Sequence, residues 1–345
     1  MRSVDPATLD PRVRDLPVLV LDDVEGGLRM RFRAIPAGRC VMGSRGYLSS
    51  EEPQHTVVIP PIPGREDGVA FWLAETPVTQ RQFRVWTQSR SYSAWRKKAG
   101  QEKTHSNYFK DRQEAPAENL DWFAANGYCE WLGSRRWSRE ARAVLGDTSV
   151  QFGLPLETEW EYACRAGSDT EYWSGDGDAA LAEVGWFGPD WESGTLTVGE
   201  LPANGFGLFD MHGNVWEWCL DPWEEHPYRD RPPLHEHHPA AARESLAKGE
   251  GGPLFRVFRG GAFFGSAGGC RSAYRLRSTP VLRDGGLGFR VCLFPGPVVQ
   301  PSQQSSEGEG GASARREGAQ RARPSRSAPP DEGLDSQHLP RIPRP

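Results

Sequence analysis

The chain has little that would take it into a membrane or onto nucleic acid. No apolar run among its 345 residues approaches the length of a bilayer span. Met1-Arg-Ser-Val-Asp-Pro6 lacks the hydrophobic region of a secretory signal, so a cytoplasmic location is expected. A formal net charge of -5 gives no electrostatic case for nucleic acid or an anionic membrane, and neither is expected as a partner. Common catalytic signatures are missing as well. Gly-x-Ser-x-Gly is absent, and no nucleophilic triad, phosphate-cradling glycine loop or acid/base carboxylate pair stands out. The cysteines (Cys40, Cys129, Cys164, Cys219, Cys270, Cys292) include no Cys-x-x-Cys pair. Most lie in apolar runs such as Trp218-Cys219-Leu220, and all but Cys270 read as buried free thiols.

What is abundant points to loops. Thirteen tryptophans and 39 glycines favour a loop-rich architecture over a helical bundle or a doubly wound sheet. The alternation Met30-Arg-Phe-Arg-Ala-Ile35 predicts a strand, as do Cys40-Val-Met-Gly43, His55 to Ile59 and Gly68 to Leu73. Thr79 is placed to cap a helix from Gln80 to Ser89. A second helix is predicted over 119 to 134, with Leu120, Phe123, Ala124, Tyr128 and Trp131 forming one apolar stripe. A third spans Leu156 to Ala166, where Glu157 and Glu159 suit the positive N-terminal end. Helices early and short irregular strands late predict an α+β fold.

Two segments read as outside the core. Glu224 to Pro253 is a polar insertion with few apolar residues, and 296 to 345 has no aromatic residue and is crowded with Pro, Ser, Gly and Arg. The second cannot bury enough apolar area to offset its ordering entropy and is expected to be a disordered tail. The expected organisation is a lead-in over 1 to 29, one domain over 30 to 295, and that tail.

Gly205-Phe-Gly-Leu-Phe-Asp-Met-His-Gly-Asn-Val-Trp-Glu-Trp218 is a glycine-rich turn followed by two tryptophans bracketing a carboxylate. Such a sequence suits a buried aromatic platform around one polar group. With Gly153 to Arg165, Arg256-Val-Phe-Arg-Gly-Gly261 and Gly288-Phe-Arg290, it closely resembles the formylglycine-generating enzyme (sulfatase-modifying factor) family. The resemblance covers roughly residues 30 to 294 and implies a C-type-lectin-like fold. In copper-dependent members, two cysteines five positions apart after the Arg-Gly-Gly turn hold copper(I), and one takes part in oxidising a substrate cysteine. Here the second position is Cys270 but the first is Gly265. Copper(I) is soft and needs at least two good donors, so copper is not expected, and Cys270 is read as a half-buried thiol beside Tyr274. An oxidase using Cys270 with an unrecognised metal site is the second reading, and a structural accessory domain the third.

The family also implies calcium in the glycine turn, which makes Gly213, Asn214, Val215 and Glu217 candidate ligands through carbonyl and carboxylate oxygens. The competing expectation is that Glu217 pairs with Arg259 or Arg290. A second family calcium site, expected near Trp186 to Thr195, is not recognisable. Iron-binding relatives use helical histidines, whereas His235-Glu-His-His238 and His226 lie in a Pro-rich loop and read as an incidental, solvated cluster. The arginines Arg271, Arg275, Arg277, Arg283 and Arg290 read as partners of Asp and Glu rather than as a basic patch.

Between the framework residues of 259 to 290 lie residues of no consistent character. Phe264, Gly265, Ser266, Gly268, Leu276, Ser278, Val281, Leu282, Asp284, Gly285 and Gly286 are read as a recognition surface for a protein or small ligand. Phe263 is read as an ordinary core aromatic. This texture resembles the variable proteins of diversity-generating retroelements, which display on this scaffold residues encoded by mutated asparagine codons. Phe, Leu, Ser, Asp, Gly and Val can each arise from such a codon. The leading expectation is a binding protein.

Overall fold

The computed structural model describes residues 6–23, 27–101, 104–146, 150–188, 190–229, 231–232, 234–247 and 255–295. The 296 to 345 segment lies outside the described residues. The central sheet has five antiparallel strands: β1 (Val18–Asp22), β2 (Arg29–Pro36), β5 (Val69–Ala74), β12 (Cys292–Pro295) and β6 (Val150–Gly153), in that order. Period-2 alternation decides which core each side chain enters. Phe32, Trp72 and Leu293 join one cluster with Phe83, Trp86 and Tyr128. Ile35, Phe71, Leu73 and Cys292 join another with Trp160 and Tyr162. The sheet is therefore covered on one face by α2 (Gln80–Thr87) and α4 (Trp122–Gly133), and on the other by α6 (Glu157–Arg165). This is the mixed α+β, lectin-like arrangement expected.

Two smaller sheets complete it. One runs β10 (Arg275–Ser278), β9 (Arg256–Arg259), β7 (Trp216–Pro222), β11 (Leu287–Gly288), and the other β3 (Gly38–Met42), β4 (His55–Ile59), β8 (Leu234–Glu236). Short helices α1 (Pro11–Arg14), α3 (Arg90–Lys98), α5 (Arg139–Leu145), α7 (Gly177–Val184) and α8 (Pro239–Ala247) fill the connections. Among the described residues no helix is long and apolar enough to cross a membrane.

The local signals act as expected, with shorter reach. Thr79 accepts from the Gln82 amide at 3.2 Å and the Gln82 side chain accepts from the Thr79 amide at 2.9 Å, a reciprocal cap. The helix from Gln80 then stops at Thr87, because Ser89 caps α3 by accepting from the Tyr92 amide. Asp121 caps α4 in the same way, so this helix starts at Trp122 rather than at 119, where Asn119 is left-handed (φ 58). Phe123 is 41% exposed and drops out of the expected apolar stripe. The lead-in supplies β1, whose Leu19 and Leu21 are fully buried. Part of the polar insertion is also built in: β8 pairs in parallel with β4, and Arg243 of α8 reaches Glu159. Hydropathy missed it because it docks through charge.

Buried ion pairs tie these layers together. All nine residues of α6 are buried, and its three glutamates each meet an arginine: Glu157 with Arg275, Glu159 with Arg243, Glu161 with Arg165 and Arg259. Burial pushes the Glu157 carboxyl up, but Arg275 and Arg259 outweigh it and hold the group below its ordinary value. Arg290 grips Glu217 through two bonds of 2.7 Å and donates to the Ala74 and Phe209 carbonyls, joining β5, β7 and the turn between 205 and 213. The Trp160 indole supplies a third bond to Glu217 at 2.7 Å. Replacing Arg290 by Met should strand a buried carboxylate and cost about 3–5 kcal/mol. Urea denaturation checks this, against Arg277→Ala, whose exposed pair with Glu225 should cost less than about 1 kcal/mol.

Candidate functional site

The 259 to 290 segment starts from a buried anchor. Arg259 donates to Glu161 and to the Ala273 and Ser272 carbonyls, which fixes the chain on both sides of the loop it opens. Gly261, at φ 79, is needed for a close approach: a Cβ there would stand 2.4 Å from the Cys270 sulfur. That sulfur faces inward with Tyr172, Leu181 and Ala267, fully buried, and not half-buried beside Tyr274. Burial pushes its thiol up to about 12. The Cys270 carbonyl accepts from His212 Nδ1 at 2.8 Å, while His212 Nε2 accepts from the Trp173 amide at 3.1 Å. Both ring nitrogens are thus engaged, and burial holds the imidazole neutral with its pKa down to about 4.

The metal candidates are committed elsewhere. Gly265, in the first copper position, is exposed and carries no donor side chain. Among the described residues no group of three or more His, Cys, Asp and Glu side chains is placed to hold a metal ion. Both Glu217 oxygens accept from Arg290, and one also accepts from Trp160. The Asn214 side chain is bonded to both backbone groups of Leu196, and its carbonyl accepts from Phe263. Gly213 donates to Gly260, and Val215 is buried beside them. Glu217 is thus held by Arg290, the competing expectation for this carboxylate. Arg112 donates to the Ser193 and Thr195 carbonyls, placing a cation of the chain's own in the 186 to 195 loop. The five arginines from 271 to 290 are all ion-paired, with Glu51, Glu157, Glu225, Asp121 and Glu217. His237, expected in solvent, is buried 3.9 Å from Glu159.

The interleaved residues fall into two groups at opposite edges of the four-stranded sheet. Three inter-strand spacings separate those edges, roughly 14 Å. By β11, half-buried Phe264 packs against Trp191 at 4.8 Å and Phe263 at 5.0 Å. Gly285 and Gly286 make room for rings: a Cβ on Gly286 would lie 2.3 Å from Phe264, and one on Gly285 3.1 Å from Tyr108. Gly265, Ser266 and Gly268 form an exposed rim. Asp284 is a turn-former whose carboxylate accepts from the Gly286 amide. At the other edge, Leu276 and Ser278 lie on β10, followed by Val281, 64% exposed, and Leu282. Half-buried Trp216 lies between, 5.4 Å from Phe258 and 5.9 Å from Tyr274. Phe263 is buried, as expected of a core aromatic.

Several aromatics of this surface escaped the reading of the sequence. Tyr108, 52% exposed, packs edge-on to Trp191, and Tyr47 lies over the Arg271 guanidinium at 3.7 Å. Both come from loops more than 150 residues upstream of the surface they join, and a lone aromatic in a polar loop carries no signal of its neighbours. The Tyr108 loop is held by Glu118, which accepts from the Tyr108 and Phe109 amides at 2.9 and 3.0 Å. Burial pushes this carboxyl up to about 7.

Over residues 30–293 the sequence matches the family description "Sulfatase-modifying factor enzyme 1-like domain". It is 26% identical to the formylglycine-generating enzyme of Mycobacterium tuberculosis, covering 76% of this chain and 97% of that one. It is 28% identical to the serine/threonine-protein kinase pkn1 of Chlamydia caviae, covering 74% of this chain but only 37% of the kinase. Among solved structures, variable protein 1 of Treponema denticola matches with a TM-score of 0.56 at 23% identity, over 80% of this chain and 98% of that one. PvdO from Pseudomonas aeruginosa matches with a TM-score of 0.56 at 21% identity, over 80% and 97%. At these identities the structures speak to the fold.

All six cysteines are buried, so in the native protein at pH 8 none should react with iodoacetamide under conditions that alkylate the urea-unfolded chain fully. Glu118 should lose a proton near pH 7 and then hold both amides more tightly. Hydrogen exchange at 108 and 109, corrected for intrinsic rate, should therefore slow as pH rises from 6 to 8, and Glu118→Gln should remove that dependence.

Proposed function

The chain belongs to the sulfatase-modifying factor enzyme 1-like family, and we propose that it is a member that works by binding rather than by oxidising a thiol. The ligand is a protein or small molecule, and the contact surface is Phe264, Gly265, Ser266, Gly268, Leu276, Ser278, Val281, Leu282 and Asp284, with buried Gly285 and Gly286 making room beneath the rings and with Tyr108, Trp191 and Trp216 extending it. The observation that carries this reading is the Phe264–Trp191–Tyr108 cluster. Large rings stand partly open beside a small, exposed rim, and two glycines exist there to accommodate them. Aromatic side chains that are partly desolvated and rigidly backed are what binding hot spots use.

Oxidative chemistry through Cys270 has less support. A thiol with its pKa near 12 is almost wholly protonated at neutral pH, and Gly265 brings no second thiolate for copper(I). The fold shared with variable protein 1 of Treponema denticola adds weight to a displayed surface on this scaffold. On this reading, the DNA flanking the gene carries a reverse transcriptase and a near-copy of codons 259 to 290 that differs only at adenines.

The test selects peptides from a displayed random library against the full chain, then measures their affinity for variants. Phe264→Ala and Leu276→Ala, both at partly exposed positions, should each change the unfolding free energy by about 1 kcal/mol or less. Recovered binders should lose at least about tenfold in Kd on one or both, equivalent to about 1.4 kcal/mol. Unchanged binding to both variants, or a one-to-one copper(I) site abolished by Cys270→Ala, would overturn the proposal.

A further inference from the structure

Two surface cavities differ in how their charges are used. The first, about 500 Å³, is lined by Arg29, Arg31 and Arg81, and each of these faces a carboxylate: Asp22, Glu75 and Glu114. That cavity neutralises itself. The second, about 530 Å³, is lined among others by Arg45, Ser49, Glu52, His226 and Arg229. Neither Arg45 nor Arg229 has an ion-pair partner among the described residues. Its single lining carboxylate, Glu52, is turned to its own loop and accepts from the Gly46 amide at 2.7 Å. In a chain of net charge -5 whose ladder of arginines from 271 to 290 is paired throughout, two guanidiniums that face one cavity and have no ion-pair partner among the described residues stand out.

The loops that carry the two cations are held from behind. On one side, Glu51 is fully buried, accepts from Arg271 at 2.8 and 2.9 Å and from the Ser44 hydroxyl, and its carbonyl accepts from the Ser44 amide. This pins both ends of the short loop that carries Arg45 and Ser49. On the other side, Tyr228 is buried between His226 and Arg229 in sequence, packs at 4.6 Å on buried His55, and lies under Arg231 at 5.6 Å.

We propose that this second cavity is a binding site for a phosphate monoester group, held by Arg45 from one wall and Arg229 from the other, with the Ser49 hydroxyl and the His226 imidazole as further donors. A phosphoryl dianion has three oxygens to share between two guanidinium forks, which one planar carboxylate cannot do as well. The cavity, about 530 Å³, leaves room for an organic group on the ester oxygen. None of the residues named for this site is among those proposed for recognition, although Arg271 backs the Arg45 loop through Glu51.

Calorimetric titration of the full chain with inorganic phosphate, phenyl phosphate and acetate, at ionic strength fixed with chloride, tests it. Saturable one-to-one binding is expected for both phosphates, with phenyl phosphate the tighter and acetate at least about tenfold weaker. Arg45→Gln and Arg229→Gln should each weaken phenyl phosphate by about tenfold or more, and Arg45→Lys by less. Both arginines are in surface loops, so the variants should keep the parent's unfolding midpoint. Phe264→Ala should leave phosphate binding untouched, which separates this site from the recognition surface. No saturable heat beyond the chloride control, equal affinity for acetate, or binding unchanged in both Gln variants would overturn the assignment.

Discussion

The structure depends on burying charge in pairs. Glu51, Glu157, Glu159, Glu161 and Glu217 are all nearly or wholly inaccessible, and each is met by a buried arginine. Taking such ions out of water costs several kcal/mol apiece, and only close, well-oriented partners offset it. The geometry is therefore unforgiving. Arg290 can hold Glu217 only if β5, β7 and the 205 to 213 turn arrive together, and Arg259 can hold Glu161 only if β9 lies across α6. A short-stranded, loop-rich chain has few ladder hydrogen bonds to define where its sheets sit, and these pairs supply that definition.

The same constraint separates frame from surface. Arg259, Arg271, Arg275 and Arg290 lie in one stretch with the residues proposed for recognition, and they hold that stretch down at both ends and in the middle. Between them, only the exposed positions such as 265, 266, 268 and 281 are relieved of a role in the core. Gly265 has no atom within 4 Å of where a Cβ would stand, and Val281 is mostly in water. Cys270 belongs to the frame, since its sulfur is packed under Gly261 and its carbonyl is bound by His212. A thiol so placed behaves as a small apolar side chain.

Local events were the legible part of the sequence. The Thr79 cap, the α6 helix and the alternation of β2 are each decided by neighbours a few residues apart, and the family-like motifs carried the fold. Arginine pairing was legible as a tendency, because guanidiniums in an acidic chain need carboxylates, but the partners lie as far as 220 residues away. The polar insertion was misread because Arg243 and His237 dock on Glu159, a contact that hydropathy scores as exposure. Tyr108 and Trp191 were invisible for a related reason: only the folded chain brings their loops to Phe264.

That convergence limits how the proposed surface can change. Gly286 and Phe264 exclude each other: a side chain at 286 would enter the space of the Phe264 ring. Gly285 stands in the same relation to Tyr108, with Trp191 at 3.3 Å behind it. Gly265, Ser266 and Gly268 have no such neighbours and can take almost any side chain without disturbing the frame, apart from the left-handed strain at Gly265 (φ 116). A surface on this scaffold therefore has two kinds of position. Those on the rim vary one at a time, whereas 264 and 286 vary together, a large ring at one requiring glycine at the other. Overpacking that pair would cost on the order of 1–3 kcal/mol by pushing the ring off its rotamer. The pairing of Phe264 with Gly286 in this chain is one solution to that steric constraint, and it places the aromatic on the loop side, where it is half open to a ligand.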